Sequence, residues 1–325
     1  MRILVVGGAG YIGSVTVDQL VAAEHSVTVV DSLVAGHLGA VNPEAEFAQL
    51  DVRDEEALNR VFAGHNFDAV INYGGYIQAG ESVRQPGRYF ANNVTGSIVL
   101  LNAMTMYGVL RFVFSSSAAV YGEPDSIPIR EDAPVRPVNP YGETKAIVER
   151  MLPWYEREFG LRWAALRYFN AAGATEDRGE DHRPETHLIP IVLQVALEQR
   201  EAIPLFGTDY PTRDGTCVRD YVHVSDLASA HLLALQKTAT GSGIYNLGNG
   251  RGFSNREVIE AARRVTGQPI PVRDEPRRPG DPAELVASQE RAVNELGWHP
   301  QFPELEQIVA SAWRWHRAHP QGYRQ

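Results

Sequence analysis

The stretch Gly7-Gly8-Ala9-Gly10-Tyr11-Ile12-Gly13 lies between an apolar run at residues 2–6 and a helical pattern at residues 12–23. Glycine therefore recurs at every third position where a strand turns into a helix. Glycine lets that turn be tight and lets the backbone approach a pyrophosphate group at the helix N-terminus. The stretch predicts a dinucleotide-binding turn.

An acidic residue follows at the end of the second predicted strand. Asp31 lies where a carboxylate accepts hydrogen bonds from the hydroxyls of an adenosine ribose. The next residues, Ser32, Leu33 and Val34, carry no positive charge that would hold a 2′-phosphate. The sequence therefore predicts NAD, and not NADP, as the cofactor. Asp51, after the third predicted strand, is a candidate contact to the adenine.

The first half of the chain alternates short apolar runs with helical patterns, which is typical of βαβ units and a parallel sheet. Strands are predicted at residues 2–6, 26–30, 46–50, 69–72, 111–115 and 162–168, and helices at residues 12–23, 55–62, 89–107 and 141–159. Farther on, helices are predicted at residues 188–199, 226–236 and 305–319, and a strand at residues 243–247. We expect an α/β fold: a Rossmann-type doubly wound parallel sheet that binds NAD at residues 1–170, rejoined by residues 224–250, and a smaller C-terminal α/β substrate domain from residues 171–223 and 251–325.

Composition narrows the class of protein. The chain has 325 residues, 44% of them hydrophobic, and a formal net charge of −10, which argues against a general nucleic-acid binder. A single cysteine excludes an intrachain disulfide, and the ten histidines lack ligand spacing with a second histidine and an acid, so no metal site is predicted. No early apolar run is long enough for a signal peptide or a membrane span, so we expect a cytoplasmic protein.

Tyr141 and Lys145 lie one turn apart at the start of a predicted helix. A tyrosine that removes a proton from an alcohol should titrate near pH 7, about three pKa units below its reference value. A lysine ammonium roughly 6 Å away stabilises the phenolate by about 2.8 kcal/mol at an effective dielectric constant of about 20. A positive nicotinamide supplies the rest. The pair predicts a general base, Tyr141, whose pKa Lys145 lowers, and Lys145 is also a candidate donor to the nicotinamide ribose.

A run of hydroxyl side chains follows the fifth predicted strand. That strand ends at Ser115 and the chain continues with Ser116 and Ser117. A hydroxyl at the carboxyl end of a parallel strand points into the cleft where ligands bind. Ser117 is therefore the candidate to share a hydrogen bond with Tyr141 and the substrate.

Further blocks accompany these motifs along the chain. The motifs typical of a broad superfamily are residues 7–13, Asp31, residues 115–122, the pair Tyr141 and Lys145, and Leu-Arg-Tyr-Phe-Asn at residues 166–170. The motifs that narrow the resemblance to one family are residues 206–216, Val-Arg-Asp-Tyr-Val-His-Val at residues 218–224, Tyr-Asn-Leu-Gly at residues 245–248, and the ending at residues 319–323. Together they resemble the extended short-chain dehydrogenase/reductase superfamily and, within it, the UDP-glucose 4-epimerase (UDP-galactose 4-epimerase) family, over nearly the whole chain.

The resemblance implies an isomerase that keeps NAD bound and regenerates it in each turnover. Tyr141 would take the proton from the sugar 4-hydroxyl while hydride moves from C4 to the nicotinamide, and the 4-keto sugar would then turn and accept hydride on its other face. Ser117 would help relay the proton. The implied NAD contacts are Gly7, Gly10, Tyr11, Ile12, Gly13, Asp31, Ser32, Asp51, Val52, Tyr73, Asn92, Ser115, Tyr141, Lys145 and Phe169.

The same resemblance implies a site for a UDP-sugar. Arg219 and Arg278 match the family's UDP-binding arginines, and a planar guanidinium suits bidentate contacts to phosphate. The other implied contacts are Ser117, Asn170, His187, Leu188, Phe206, Asp281 and Leu285.

Three positions depart from the family's pattern. Ile77 stands in place of a lysine near the nicotinamide, and His187 in place of an asparagine that touches the substrate in some members. Leu285 falls at the substrate gate, which is a tyrosine in members that are strict for non-acetylated sugars. The smaller side chain would leave room for an N-acetyl group.

The sequence leaves alternatives to interconversion of UDP-galactose and UDP-glucose. One is a 4-epimerase acting mainly on UDP-N-acetylglucosamine and UDP-N-acetylgalactosamine or on a UDP-pentose. Another is a nucleotide-sugar 4,6-dehydratase or a decarboxylase, although dehydratases place Asp-Glu where this chain has Ala118 and Ala119. A third is a catalytically inactive NAD-sensing scaffold, against which the set of Ser117, Tyr141 and Lys145 argues.

The helices predicted at residues 89–107 and 141–159 carry more apolar residues than one sheet face needs. In this superfamily such helices pair across a two-fold axis into a four-helix interface. We therefore expect a homodimer.

Overall fold

The computed structural model describes residues 1–278 and 280–323. Its strands are β1 (Arg2–Val6), β2 (Ser26–Asp31), β3 (Glu46–Gln49), β4 (Ala69–Asn72), β5 (Arg111–Ser117), β6 (Arg162–Tyr168), β7 (Asn170–Ala172), β8 (Ile203–Phe206), β9 (Val218–His223), β10 (Gly243–Leu247), β11 (Gly252–Ser254), β12 (Val272–Glu275) and β13 (Glu284–Leu285). Its α-helices are α1 (Tyr11–Ala22), α2 (Glu55–Gly64), α3 (Ala79–Arg84), α4 (Pro86–Tyr89), α5 (Gly96–Met106), α6 (Pro140–Phe159), α7 (Leu188–Ala196), α8 (Val224–Lys237), α9 (Asn255–Thr266), α10 (Glu290–Leu296) and α11 (Leu305–Ala318). None of these helices combines the length and the apolar character needed to span a membrane.

One sheet of seven parallel strands, in the order β10-β6-β5-β4-β1-β2-β3, forms the centre of the fold. Helices α1 and α8 pack on one face, and α2, α5 and α6 on the other. Strands covered on both faces have near-continuous apolar sequences, which is why β1 and β4 are buried almost throughout. The predicted α/β class with a doubly wound parallel sheet is confirmed, and the sheet brings the carboxyl ends of β1, β4 and β5 to one edge.

The predicted bounds of β1, β4, β6 and β10 agree with the structure residue for residue. Strand β2 runs one residue and β5 two residues beyond the predicted end, because pairing with the neighbouring strand continues there. The helix predicted at residues 89–107 is instead α4, a π-helical segment at Phe90–Thr95, and α5. Such segments are often found at functional sites, because the wider turn shifts side chains off the α-helical period.

The remaining strands form smaller sheets. Strand β9 pairs with β7, β11 and β13, while β12 pairs with β8. Helices α7, α9 and α11 share an apolar core with these strands. Helix α10 and Trp298, which the sequence assigns to the smaller domain, pack against the large sheet instead. The Trp298 indole N–H donates to the carbonyl oxygen of Asp226 in α8 at 2.9 Å, so this part of the C-terminal region is held on the sheet.

A buried ion pair joins α6 to the sheet. The side chains of Glu149 and Arg167 are 5% and 3% exposed, and their closest charged atoms are 2.5 Å apart. The hydroxyl of Ser116, in β5, donates to the same carboxylate at 2.5 Å. The guanidinium also donates to the phenol oxygen of Tyr121 at 2.8 Å. The pair therefore holds α6 to both β5 and β6 without leaving a buried charge uncompensated.

Replacing Glu149 with Gln should destabilise the protein strongly, because the Arg167 guanidinium would then be buried without a counter-charge. We expect the free energy of unfolding to fall by about 3–5 kcal/mol. The matched control is Glu56→Gln, which removes the carboxylate from an exposed pair with Arg60 and should change stability little. Urea denaturation of both variants checks this, and equal small losses would contradict the role given to the buried pair.

Candidate active site

The glycine-rich stretch forms the turn between β1 and α1. Gly7 has φ +77°, a conformation that favours glycine, and a Cβ on Gly13 would collide with the carbonyl group of Gly7. Helix α1 begins at Tyr11, and its first turn contains no acidic residue to offset the positive end of the helix dipole. The turn therefore fits a pyrophosphate bound by backbone N–H groups at the start of the helix.

Asp31, at the end of β2, is hydrogen-bonded to this turn. Its carboxylate accepts hydrogen bonds from the backbone N–H of Ala9 at 3.1 Å and of Leu33 at 2.9 Å. Burial raises the pKa of Asp31, and these two hydrogen bonds act against that rise. Ser32, the next residue, accepts a hydrogen bond from the backbone N–H of Val34 at 3.4 Å. The acid is thus fixed at the glycine-rich turn, where it fits the ribose of an adenosine.

Other residues predicted to contact NAD lie on α1, beside the turn, and directly after the end of β4. The Tyr11 hydroxyl donates to the carbonyl oxygen of Gly173 at 2.5 Å. The hydroxyls of Tyr73 and Thr16 are 2.5 Å apart. Ile12 packs against the core of the large sheet. The hydroxyls of Tyr11 and Tyr73 are therefore already hydrogen-bonded within the protein. A cofactor would contact the rings and the backbone of these two residues.

The edge near β3 and the π-helical segment carries three more of these residues. Asp51 is bound by the Arg53 guanidinium at 2.6 Å, and that hydrogen bond lowers the pKa of the carboxyl group. Val52 follows it directly in the chain and packs against the core that contains α5. Asn92 donates to the side-chain oxygen of Asn93 at 3.0 Å within the π-helical segment. Sequence reasoning missed Arg53 and Asn93, whose roles depend on contacts that spacing does not reveal.

Ser117, Tyr141 and Lys145 meet where β5 ends and α6 begins. The ammonium group of Lys145 donates to the carbonyl oxygen of Ser115 at 2.7 Å and lies 5.9 Å from the centre of the Tyr141 ring. Burial raises the pKa of Tyr141, and a hydrogen bond with the Ser117 side chain opposes the rise. The structure therefore brings the three predicted catalytic side chains together.

Burial is the main influence on the pKa values of Lys145 and Tyr141. Lys145 is 3% exposed, and burial lowers the pKa of its ammonium group to about 8 although the negative charge of Glu149 raises it. Burial has the opposite effect on the pKa of Tyr141, which rises. Burial therefore disfavours the charged form of both groups, the ammonium of Lys145 and the phenolate of Tyr141.

The start of α6 is positioned by local contacts. The Asn139 side chain caps the helix by accepting a hydrogen bond from the backbone N–H of Gly142 at 2.9 Å. A Cβ at Gly142 would collide with the carbonyl group of Ala119, so only glycine lets the helix lie this close to the end of β5. Sequence reasoning missed Glu149, which lies one turn beyond Lys145 on the same helix face. The four-residue spacing from Lys145 was the available signal.

Four residues predicted to bind the substrate form a connected group. Arg219 is 8% exposed and forms an ion pair with Asp281. The Asp281 backbone N–H donates to the carbonyl oxygen of Arg278 at 3.3 Å. The Arg278 guanidinium lies 3.9 Å from the centre of the Phe206 ring. Two arginines able to bind phosphate, Arg219 and Arg278, are thus connected through Asp281, whose carboxylate holds the Arg219 side chain in place.

Leu285 links this group to the end of β5. It is paired with Arg219 between β13 and β9, and its side chain packs in a cluster that contains Ala118 and Phe169. Asn170 begins β7, which also pairs with β9 and places Asn170 beside Tyr221. Leu285 therefore lies between a predicted phosphate-binding arginine and the loop that follows Ser117.

His187 and Leu188 lie at the beginning of α7. Leu188 packs against the apolar core of the smaller sheets. The Nδ1 atom of His187 lies 2.7 Å from a carboxylate oxygen of Glu180 and 2.9 Å from one of Glu185. Nδ1 is therefore engaged within the chain, and only Nε2 of this ring is left for a substrate.

Comparison with known proteins agrees with this geometry. The profile of the NAD dependent epimerase/dehydratase family matches residues 3–248. The UDP-glucose 4-epimerase of Streptococcus mutans is 54% identical over 99% of this chain and 99% of its own length. The chain belongs to the NAD-dependent epimerase/dehydratase family. The family resemblance predicted from the motifs is confirmed, and so is NAD as the cofactor.

Solved structures of this family superpose on the chain closely. A crystal structure of a UDP-glucose 4-epimerase is 50% identical, covers 100% of both chains and has a TM-score of 0.98. The UDP-glucose 4-epimerase of Brucella ovis, solved in complex with NAD, is 43% identical over 96% of this chain and 97% of its own, with a TM-score of 0.93. These similarities extend beyond the dinucleotide-binding half to the region that carries the arginines.

Proposed function

We propose that this member of the family interconverts UDP-galactose and UDP-glucose by oxidising C4 of the sugar and reducing it again from the other face. The observation that carries this is the meeting of Ser117, Tyr141 and Lys145 at the sheet edge that also holds the glycine-rich turn. Full-length similarity to UDP-glucose 4-epimerases supports the same reaction. When bound, NAD accepts the hydride from C4 and returns it.

The residues of the chain handle the proton and the charge. Tyr141 takes the proton from the 4-hydroxyl as the C4–H bond breaks, and gives it back when the 4-keto group is reduced. Lys145 stabilises the phenolate, and Ser117 hydrogen-bonds both the phenol and the substrate oxygen. Between the two half-reactions the 4-keto sugar rotates about its diphosphate linkage and presents its opposite face.

The diphosphate requires cations in a chain whose net charge is −10. Arg219 and Arg278 supply them, and a guanidinium can bind two phosphate oxygens at once. The ion pair with Asp281 fixes the direction of the Arg219 side chain. Anchoring the nucleotide while leaving the sugar free to turn fits a reaction that must present both faces of C4 to one cofactor.

A dehydratase reaction is disfavoured by the loop after Ser117. Ala118 and Ala119 form a short 3-10 turn there, where a dehydratase needs carboxylates to expel water. The set of Ser117, Tyr141 and Lys145 likewise argues against an inactive scaffold, which has no use for a buried ammonium group beside a phenol.

Replacing Tyr141 with Phe tests the catalytic assignment. The ring stays but the base is lost, so turnover of UDP-galactose should fall about a hundred- to ten-thousand-fold. Bound NAD, measured in the purified protein, should be retained. The matched control is Tyr155→Phe on the same helix, which removes only a hydrogen bond to Asn102. A Tyr141→Phe protein as active as this control would rule out the proposed base.

Leu285 favours a second, broader activity on N-acetylated UDP-sugars. A tyrosine introduced beside the end of β5 would occupy space next to the sugar. We expect Leu285→Tyr to lower turnover of UDP-N-acetylgalactosamine by about tenfold or more and to leave UDP-galactose turnover nearly unchanged. Leu285→Met, of similar volume, should keep both activities. Proton NMR of the sugar products measures each rate, and equal losses on both substrates would remove Leu285 from the gate.

We further propose a cytoplasmic homodimer that pairs through the surface of α5 and α6. This α5–α6 face exposes four large apolar side chains, which is unusual for a surface in contact with water alone: Ile98 at 36%, Met106 at 67%, Trp154 at 62% and Phe159 at 50% exposure. Helices pairing across a two-fold axis would bury all of them in a four-helix interface.

Sedimentation velocity at micromolar concentration should therefore give the mass of a dimer. Trp154→Glu should shift it toward the monomer, because the charge would be buried in the interface. Leu38→Glu changes a side chain that is 60% exposed on a different surface and should leave the dimer intact. A wild-type chain that sediments as a monomer would contradict the proposed interface.

A further inference from the structure

Four side chains of one loop converge just before α7. Glu180, His182, Glu185 and His187 each offer one atom that could bind a metal, and these atoms all lie within 4.8 Å of one another. The carboxylates of Glu180 and Glu185 are 5% and 3% exposed, so water does little to screen them. The mechanism above uses neither Glu180, His182 nor Glu185, and His187, a predicted substrate contact, turns only its Nδ1 atom toward this cluster.

The distances match the spacing of ligand atoms around one metal ion. Nδ1 of His182 lies 3.0 Å from Glu180 and 3.9 Å from Glu185, and Nδ1 of His187 lies 2.7 Å from Glu180 and 2.9 Å from Glu185. In a tetrahedral zinc site with bonds of about 2.0–2.1 Å, neighbouring ligand atoms are about 3.4 Å apart. The four His–Glu distances bracket that value, and all four ligand atoms lie within 4.8 Å of one another, so the side chains would have to adjust to complete the site.

Charge balance also favours a single cation at this point. The side chains of Glu180 and Glu185 are both buried, and two buried carboxylates require two positive charges nearby. Two imidazolium rings could supply them, but their centres are only 5.3 Å apart and they would repel each other. One divalent ion neutralises both carboxylates and leaves both imidazoles neutral.

We propose that Glu180, His182, Glu185 and His187 bind one zinc ion. Two imidazoles and two carboxylates complete a tetrahedral shell, which makes the site structural and not catalytic. The sequence analysis expected no metal site, and that expectation overlooked the stretch Glu-x-His-x-x-Glu-x-His at residues 180–187, in which the two histidines are separated by four residues. The loop alone brings the four ligands together.

The position of the site gives it a structural role. The His182 ring lies edge-on to Tyr11, with ring centres 6.4 Å apart, and Tyr11 begins the helix that follows the glycine-rich turn. His187 leads directly into α7 and Leu188. Zinc would therefore fix this loop between the dinucleotide-binding turn and a helix of the smaller sheets.

The test uses the full-length chain with its NAD, stripped of metal by a chelator and then titrated with zinc chloride. We expect one zinc per chain by elemental analysis and a higher melting temperature on addition of zinc. His182→Gln and Glu180→Gln should weaken zinc binding about a hundredfold or more. The control is His65→Gln, since His65 also pairs with a glutamate, Glu46, but lies outside the cluster.

Metal content and melting temperature are read independently of epimerisation, so this proposal can fail without affecting the proposed reaction. Absence of zinc binding by the wild-type chain would leave an ion-paired loop and overturn the proposal. So would equal zinc binding by His182→Gln, which would indicate adventitious surface binding. If the variants do not fold, cobalt substituted into the wild-type chain decides: intense visible absorption of four-coordinate Co²⁺ supports the site, and the weak spectrum of six-coordinate Co²⁺ contradicts it.

Discussion

The buried ion pair between Glu149 and Arg167 is the constraint on which the catalytic geometry depends. Through it, α6 is held to β5 and β6 together, and the position of α6 sets that of Lys145 one turn earlier and of Tyr141 two turns earlier. A buried pair adds little net stability, because desolvation offsets most of the Coulomb attraction. Its contribution here is to fix the position of α6. If the helix moved on the sheet, the charges of Glu149 and Arg167 would be buried without a partner.

The same burial disfavours the charged forms of Lys145 and Tyr141. Removing Lys145 from water lowers the pKa of its ammonium group to about 8, and removing Tyr141 from water raises the pKa of its phenol. Across about 6 Å, at an effective dielectric constant of about 20, the ammonium group supplies about 3 kcal/mol, or about two pKa units. Lys145 thus acts against the effect of burial on Tyr141, and oxidised NAD, when bound, would add a second positive charge that favours the phenolate.

Much of the large sheet was predictable because its signals are local. Strands β1, β4, β6 and β10 are buried apolar runs between breakers, and the predicted bounds match them. Strand β9 carries Arg219 and Asp220 yet is buried at every residue, so no apolar run reveals it. Helix α9 also escaped prediction, although Ser254 and Glu257 form a capping box at its start.

The same distinction applies to the candidate site. The positions of Tyr141, Lys145 and the glycine-rich turn could be predicted, because each depends on residue spacing within a single element. The links from Glu149 to β6 and from Asp281 to Arg219 join residues far apart in the chain. The loop at residues 180–187 is short in sequence, but its convergence depends on backbone turns that no periodicity predicts.

The measurement that tests the account most directly is epimerisation of UDP-galactose carrying deuterium at C4, by the purified chain with no NAD added. Hydride that leaves and returns through one resident cofactor predicts UDP-glucose with the deuterium retained at C4. Loss of the label to solvent would contradict hydride transfer at C4. Absence of turnover unless NAD is supplied would contradict a cofactor that stays bound and is regenerated in each turnover.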